Sequence, residues 1–118
     1  MTKKYIQPGK VIDHVAGSAI SSGDAVVIGI LLGVALADIP AGDTGAVQIE
    51  GVFEMPKLST AVIAAGDPLT WDISAGEFIV AAAATGDLAA SAVAIADAGN
   101  GTTTVLAKLL PGNASVTA

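Results

Sequence analysis

Residues 33–50 read GVALADIPAGDTGAVQIE, and residues 92–109 read AVAIADAGNGTTTVLAKL. Each stretch opens on an alternation of small and larger apolar residues and reaches an Ala-Asp pair. A glycine-bearing turn follows, then a second alternating run. Period-two alternation puts successive side chains on opposite faces of an extended chain, the pattern of a half-buried strand. The two stretches therefore read as copies of one strand–turn–strand unit. A second echo lies upstream of each, SSGDAVVIG at 21–29 and AAGDPLTWD at 64–72. The chain thus divides into two similar halves, the second lengthened at 73–86 by what reads as one inserted hairpin. Two such halves can pack about a pseudo-two-fold axis and close a small barrel, and they are too few for a solenoid.

The punctuation agrees with strands. Gly-Asp occurs at 23–24, 42–43, 66–67 and 86–87. Glycine accepts the positive φ of tight turns, and aspartate bonds nearby backbone. Strands are expected at 10–15, 25–29, 33–37, 46–53, 69–72, 77–82, 89–96 and 103–110. Many short strands with frequent turns indicate a sandwich or barrel. The Ala-rich stretch 78–98 has high helix propensity, but Gly86 interrupts it and Ala92-Val93-Ala94-Ile95-Ala96 alternates. Residues 58–65 (LSTAVIAA) read either as a short helix capped by Ser59 or Thr60 or as another strand. The expected fold is all-β: a small single-domain β-barrel or sandwich over 11–118, with an extended N-terminal arm over 1–10.

Composition narrows the function. The 118 residues are 53% hydrophobic but only 3% aromatic, so Ala, Val and Ile build the core. With no cysteine there is neither a disulfide nor a thiolate metal site, which suits folding in a reducing cytoplasm. Net charge is −6 and arginine is absent, a poor basis for binding nucleic-acid phosphates. Lys3, Lys4 and Lys10 hold three of the five lysines, whereas the chain from Val11 onward sets two lysines against all eleven acids. This is a basic arm on an acidic body. Mean hydropathy is +0.71, yet the longest apolar run, AVVIGILLGVALA at 25–37, is shorter than the ~20 residues of a spanning helix. MTKKYIQPGK has no apolar core of a signal peptide. No membrane partner and no nucleic-acid partner are expected.

Chemistry-bearing motifs fail one by one. GVFEMPKLS at 51–59 is the nearest approach to a phosphate loop, but Pro56 stands at the second glycine and Leu58 separates Lys57 from Ser59. His14, the sole histidine, lies in an alternating run and reads as a surface strand residue. One histidine with carboxylates makes a weak zinc set, and no G-x-S-x-G elbow accompanies it. The acids sit beside turn glycines, where capping explains them. No catalytic residue, metal ligand or cofactor is assigned. Residues 54–60 and 65–69 resemble parts of a lipoyl carrier domain, but no lysine lies between Lys57 and Lys108 to carry the group.

The order of motifs resembles a phage and prophage family of capsid cement (decoration) proteins. The resemblance runs from Lys4-Tyr5-Ile6-Gln7-Pro8-Gly9 through residues 22–29 and 33–35 to the Thr104–Leu110 run. Its most specific parts are Glu50-Gly51-Val52-Phe53-Glu54-Met55-Pro56-Lys57 and Trp71-Asp72. It implies a non-enzymatic virion protein that binds the outside of the capsid shell and stabilises it. The implied partners are the major capsid protein and further copies of this chain, a trimer being favoured. The implied location is the virion exterior, after synthesis in the bacterial cytoplasm. A tail or baseplate component, or a generic β-barrel adaptor, is the alternative. Lys3, Lys4, Tyr5, Ile6, Gln7, Phe53 and Trp71 are the candidate interface residues. Aromatics are enriched at interface hot spots, although Trp71, the one tryptophan of a small domain, reads first as core.

Overall fold

The computed structural model describes residues 9–80 and 84–116. Its strands are β1 (Val11–Val15), β2 (Ala25–Ile28), β3 (Leu31–Ala35), β4 (Thr44–Gln48), β5 (Gly51–Pro56), β6 (Pro68–Asp72), β7 (Glu77–Ile79), β8 (Leu88–Ala94), β9 (Thr104–Leu109) and β10 (Ser115–Val116). They form two antiparallel sheets, and no described residue is helical. The first sheet has the order β1-β4-β3-β2. The second has the order β5-β9-β8-β6-β7, with β10 added beside β8.

The two orders are the same once β7 is removed. β1, β4, β3 and β2 occupy the places of β5, β9, β8 and β6, and the register agrees. Val34 faces Gln48 as Val93 faces Lys108, and Ala35 faces Val47 as Ala94 faces Ala107. The loops repeat bond for bond. Ile20 and Ile39 exchange backbone hydrogen bonds, as do Ile63 and Ala98. The Gly23 N–H donates to the Ala35 carbonyl, and the Gly66 N–H to the Ala94 carbonyl. Asp38 accepts from the Ser22 N–H at 2.8 Å, and Asp97 from the Ala65 N–H at 2.8 Å. The internal echo in the sequence is thus an echo in three dimensions.

The Gly-Asp pairs all make one turn. The aspartate N–H donates to the carbonyl three residues back, and the glycine lies at φ 85 to 90°. Only glycine takes that third position readily. Three of the aspartates also accept the N–H of the turn's first residue: Asp24 from Ser21 at 3.0 Å, Asp67 from Ala64 at 2.9 Å and Asp87 from Ala84 at 2.9 Å. The fourth turn begins at Pro40, which has no N–H to give.

Three expectations need correction. The run 46–53 is two strands in different sheets, broken at Gly51, whose φ of 131° ends one extended segment before the next begins. Residues 58–65 form no helix. The Ala61 N–H closes a turn onto the Leu58 carbonyl, and the chain then runs extended, burying Ala61 and Ile63 while exposing Val62 and Ala64. His14 is half-buried rather than on the surface, on the same row of β1 as Ile12, which packs against the smaller core.

Two cores result. The larger one lies in the second half and contains Leu69, Trp71, Phe78, Leu88, Val105 and Leu109, with Leu32 and Val34 reaching in from β3. The smaller contains Ala16, Val26, Ala35, Ile39, Val47 and Ile49. Strand β3 is therefore buried on both faces. The second sheet curls. Opposite Ala90, which has a φ of 55°, the β6–β8 register shifts between Leu69 and Trp71, and such irregularities bend a sheet. The curl brings β7 back to the end of β5, where Lys57 and Phe78 form a parallel bridge.

Candidate interaction surface

The expected arm residues Lys3, Lys4, Tyr5, Ile6 and Gln7 lie outside the described residues. The other two candidates come together. Trp71 is buried and meets Phe78 edge to face, ring centroids 4.9 Å apart. Phe53 is half-buried and packs against the same core. Both line a groove of about 430 Å³ between the edge of β2 and the edge of β5. Ala25 and Val34 line it from the first sheet. Phe53, Met55 and Pro56 line it from the second, and Asp24 and Glu54 also border it. The Glu54 side chain makes no hydrogen bond or ion pair with any described residue, and strand alternation turns it to the outer face with Val52.

A second surface is the outer face of the curled sheet. Strands β5 and β9 alternate exposed and covered residues. Val52 and Leu106, 52% and 41% exposed, sit diagonally across a pair in which Glu54 faces Leu106 and Val52 faces Lys108. The 46% exposed Ile95 adjoins them through a 2.9 Å bond from its N–H to the Leu106 carbonyl. Apolar side chains clustered on a sheet face and edged by charge mark contact surfaces in soluble proteins.

Lys57 does something the sequence did not suggest. It is 3% exposed, and its Nζ donates to the carbonyls of Thr102 at 2.9 Å and Gly99 at 3.3 Å. The ammonium group thus ties the loop before β9 to the end of β5. Its counterpart in the first half is Ala16, whose N–H bonds Asp43 as the Lys57 N–H bonds Thr103. Asp87 is also buried, its two oxygens accepting from Ile73 at 3.2 Å and Ala84 at 2.9 Å. Asp72, at the end of β6, accepts from the Ser74 hydroxyl at 2.8 Å and from the Ser74 and Ala75 N–H groups. The Ser74 hydroxyl bond, then the Ala75 amide, hold its carboxyl below the usual range.

These carboxylates serve the backbone. Among the described residues no three His, Cys, Asp or Glu side chains gather to hold a metal. The described residues include no helix long and apolar enough to cross a membrane. The features that stand out are surfaces: a groove between strand edges and an apolar sheet face. A family model described as phage cement protein matches residues 6–109. No curated protein matches the chain closely enough to count as a relative.

Proposed function

We propose that this chain, which belongs to the phage cement protein family, binds the outer surface of a phage capsid and stabilises the shell without catalysing a reaction. The observation that carries the reading is the family match across most of the chain, from within the arm to the end of β9. Family membership gives an association with the capsid. The finer reading is physical. A small β unit seated where capsid subunits meet contacts several of them at once, and simultaneous weak contacts multiply into avidity. The apolar outer face at Val52, Ile95 and Leu106 supplies area for such contacts. The lysine-bearing arm over 1–10 supplies an extended segment suited to strand addition on a neighbour. The major capsid protein is the partner, the protein acts as a homo-oligomer, and synthesis takes place in the bacterial cytoplasm.

Co-sedimentation with expanded, undecorated capsids tests this. The protein should pellet with shells and raise the temperature at which they rupture. Density for labelled protein on tails rather than shells in electron micrographs would overturn the reading. A chain lacking residues 2–10 that bound shells undiminished would remove the arm from it.

A further inference from the structure

We infer that this chain docks twice on its partner, through the same outward face of each half, and so ties two neighbouring copies of one subunit together. The inference rests on the shell-binding reading above and states how a single copy bridges.

The two halves carry matching residues on their outer faces. Val11 faces Gln48 as Val52 faces Lys108, and Asp13 faces Ala46 as Glu54 faces Leu106. At the end of the row Val15 faces Thr44 as Pro56 faces Thr104. The Leu36 N–H donates to the Ala46 carbonyl at 3.1 Å, and the Ile95 N–H to the Leu106 carbonyl at 2.9 Å. Valine thus answers valine, acid answers acid and threonine answers threonine. Leu36 answers Ile95, and both are exposed, at 44% and 46%.

The covered side shows the opposite. There Ile12 faces Val47 where Phe53 faces Ala107, and His14 faces Gly45 where Met55 faces Val105. Bulk has been redistributed within each pair, so the packing differs between the halves while the exposed row is the same. Stability does not hold such a row in place, since surface substitutions usually leave it nearly unchanged. Strand propensity accounts for valine, isoleucine and threonine but not for the acids, which are depleted in strands. A contact made twice accounts for both. Each face is an apolar strip with a carboxylate at its centre, and it fits an apolar strip bearing a lysine or arginine.

The way the halves stack leaves both rows open. Val34 faces Gln48 and so lies on the Val11 side of the first sheet. That side rests on the larger core, to which the second sheet gives Met55, Val105 and Leu109 from its inner side. The halves are stacked face on back. Leu32 and Val34 are buried in the stack, while Val11 and Leu36 lie beyond it and remain exposed. Neither row is closed by the other. Two equal faces on one chain call for two equal faces on the partner, and a shell built from many copies of one subunit supplies them.

Full-length protein and expanded, undecorated shells give the test. Leu36→Asp and Ile95→Asp should each weaken binding about a hundredfold, the avidity lost when one of two sites goes. The double variant should no longer pellet with shells. At concentrations that still saturate the shell, neither single variant should raise the rupture temperature, because a chain held at one site bridges nothing. Asp13→Lys and Glu54→Lys should both weaken binding, to a similar degree, and they keep the test open if an aspartate at 36 or 95 unfolds the chain. Wild-type binding and rupture temperature in the variants of either half would overturn the proposal, since one face would then suffice. Charge reversals that shift binding in opposite directions would overturn it too. Wild-type protein that never pellets with shells overturns the shell-binding reading and this inference with it. Wild-type protein that pellets while only one half is sensitive to substitution overturns the double docking alone.

Discussion

The two halves of this molecule share a strand order, a register and a set of loop bonds, yet one is an open sheet and the other curls on itself. The first half holds β1 to β4 around a core of Ala, Val and Ile. The second repeats that plan and inserts β7 after β6. From the insertion come Phe78, a ring partner for Trp71, and the bridge that returns to Lys57. The difference teaches that a single hairpin can turn a repeated half-sheet into a curled one. It does so by giving the last strand something apolar to wrap around and a backbone partner at the far end.

Removing that apolar centre is the strongest way to break the contrast. Phe78 is fully buried, and Phe78→Ala should cost about 3–5 kcal/mol in urea denaturation, from lost transfer energy and the cavity left behind. Typical domains hold only about 5–15 kcal/mol in total. The loss should fall unevenly. Hydrogen exchange at the Leu58 amide, which donates to the Phe78 carbonyl, should accelerate more than at the Ile39 amide in the first half. Equal acceleration at both would mean that the insertion stabilises the whole molecule evenly rather than holding the curl.

A finer difference lies inside the repeat. A side chain at Gly45 would collide with Ile39. By register, Gly45 corresponds to Val105 and Ile39 to Ala98. Both halves therefore fill the same space, one from the loop and the other from the strand. Gly45→Val should cost about 1–3 kcal/mol by overpacking. Ile39→Ala should cost about 2–5 kcal/mol by leaving a hole. Combined, they rebuild the second half's arrangement in the first, so the double variant should be more stable than the sum of its parts by about 2 kcal/mol, within the range for contacting residues. A denaturation double-mutant cycle reads this directly, and strict additivity would separate the two positions.

Much of this was legible before the coordinates. Alternation located most of the strands, the Gly-Asp pairs located four identical turns, and the echo with its insertion located β7. Those signals are local, set by side-chain period and turn stereochemistry. The rest depends on what the chain meets in space. The break at Gly51 hid inside a continuous alternating run, since nothing in residues 46–53 says that the sheet changes. Lys57 read only as the misplaced lysine of a failed phosphate loop, because its carbonyl partners lie more than 40 residues away. Phe53 and Trp71 could be named as candidates, but the groove that joins them is made by two strand edges from different halves.

The smallest effect compares the turns themselves. In the turns at 21–24 and 64–67 the carboxylate accepts the N–H of the first residue, a bond comparable to a helix N-cap. Asp24→Ala and Asp67→Ala should each cost about 1 kcal/mol in thermal or urea unfolding. Asp43 occupies the same position in a turn whose first residue is Pro40, so that bond is missing for a covalent reason. Asp43→Ala should stay within ~0.5 kcal/mol, as for a surface change that removes no specific bond. The sharper variant restores the missing donor. In a Pro40→Ala background the residue-40 N–H becomes available, and Asp43→Ala should then cost about as much as Asp67→Ala. If Asp43→Ala already costs that much beside Pro40, the aspartates stabilise these turns through their own backbone preference, and the carboxylate bonds common to the two halves contribute little.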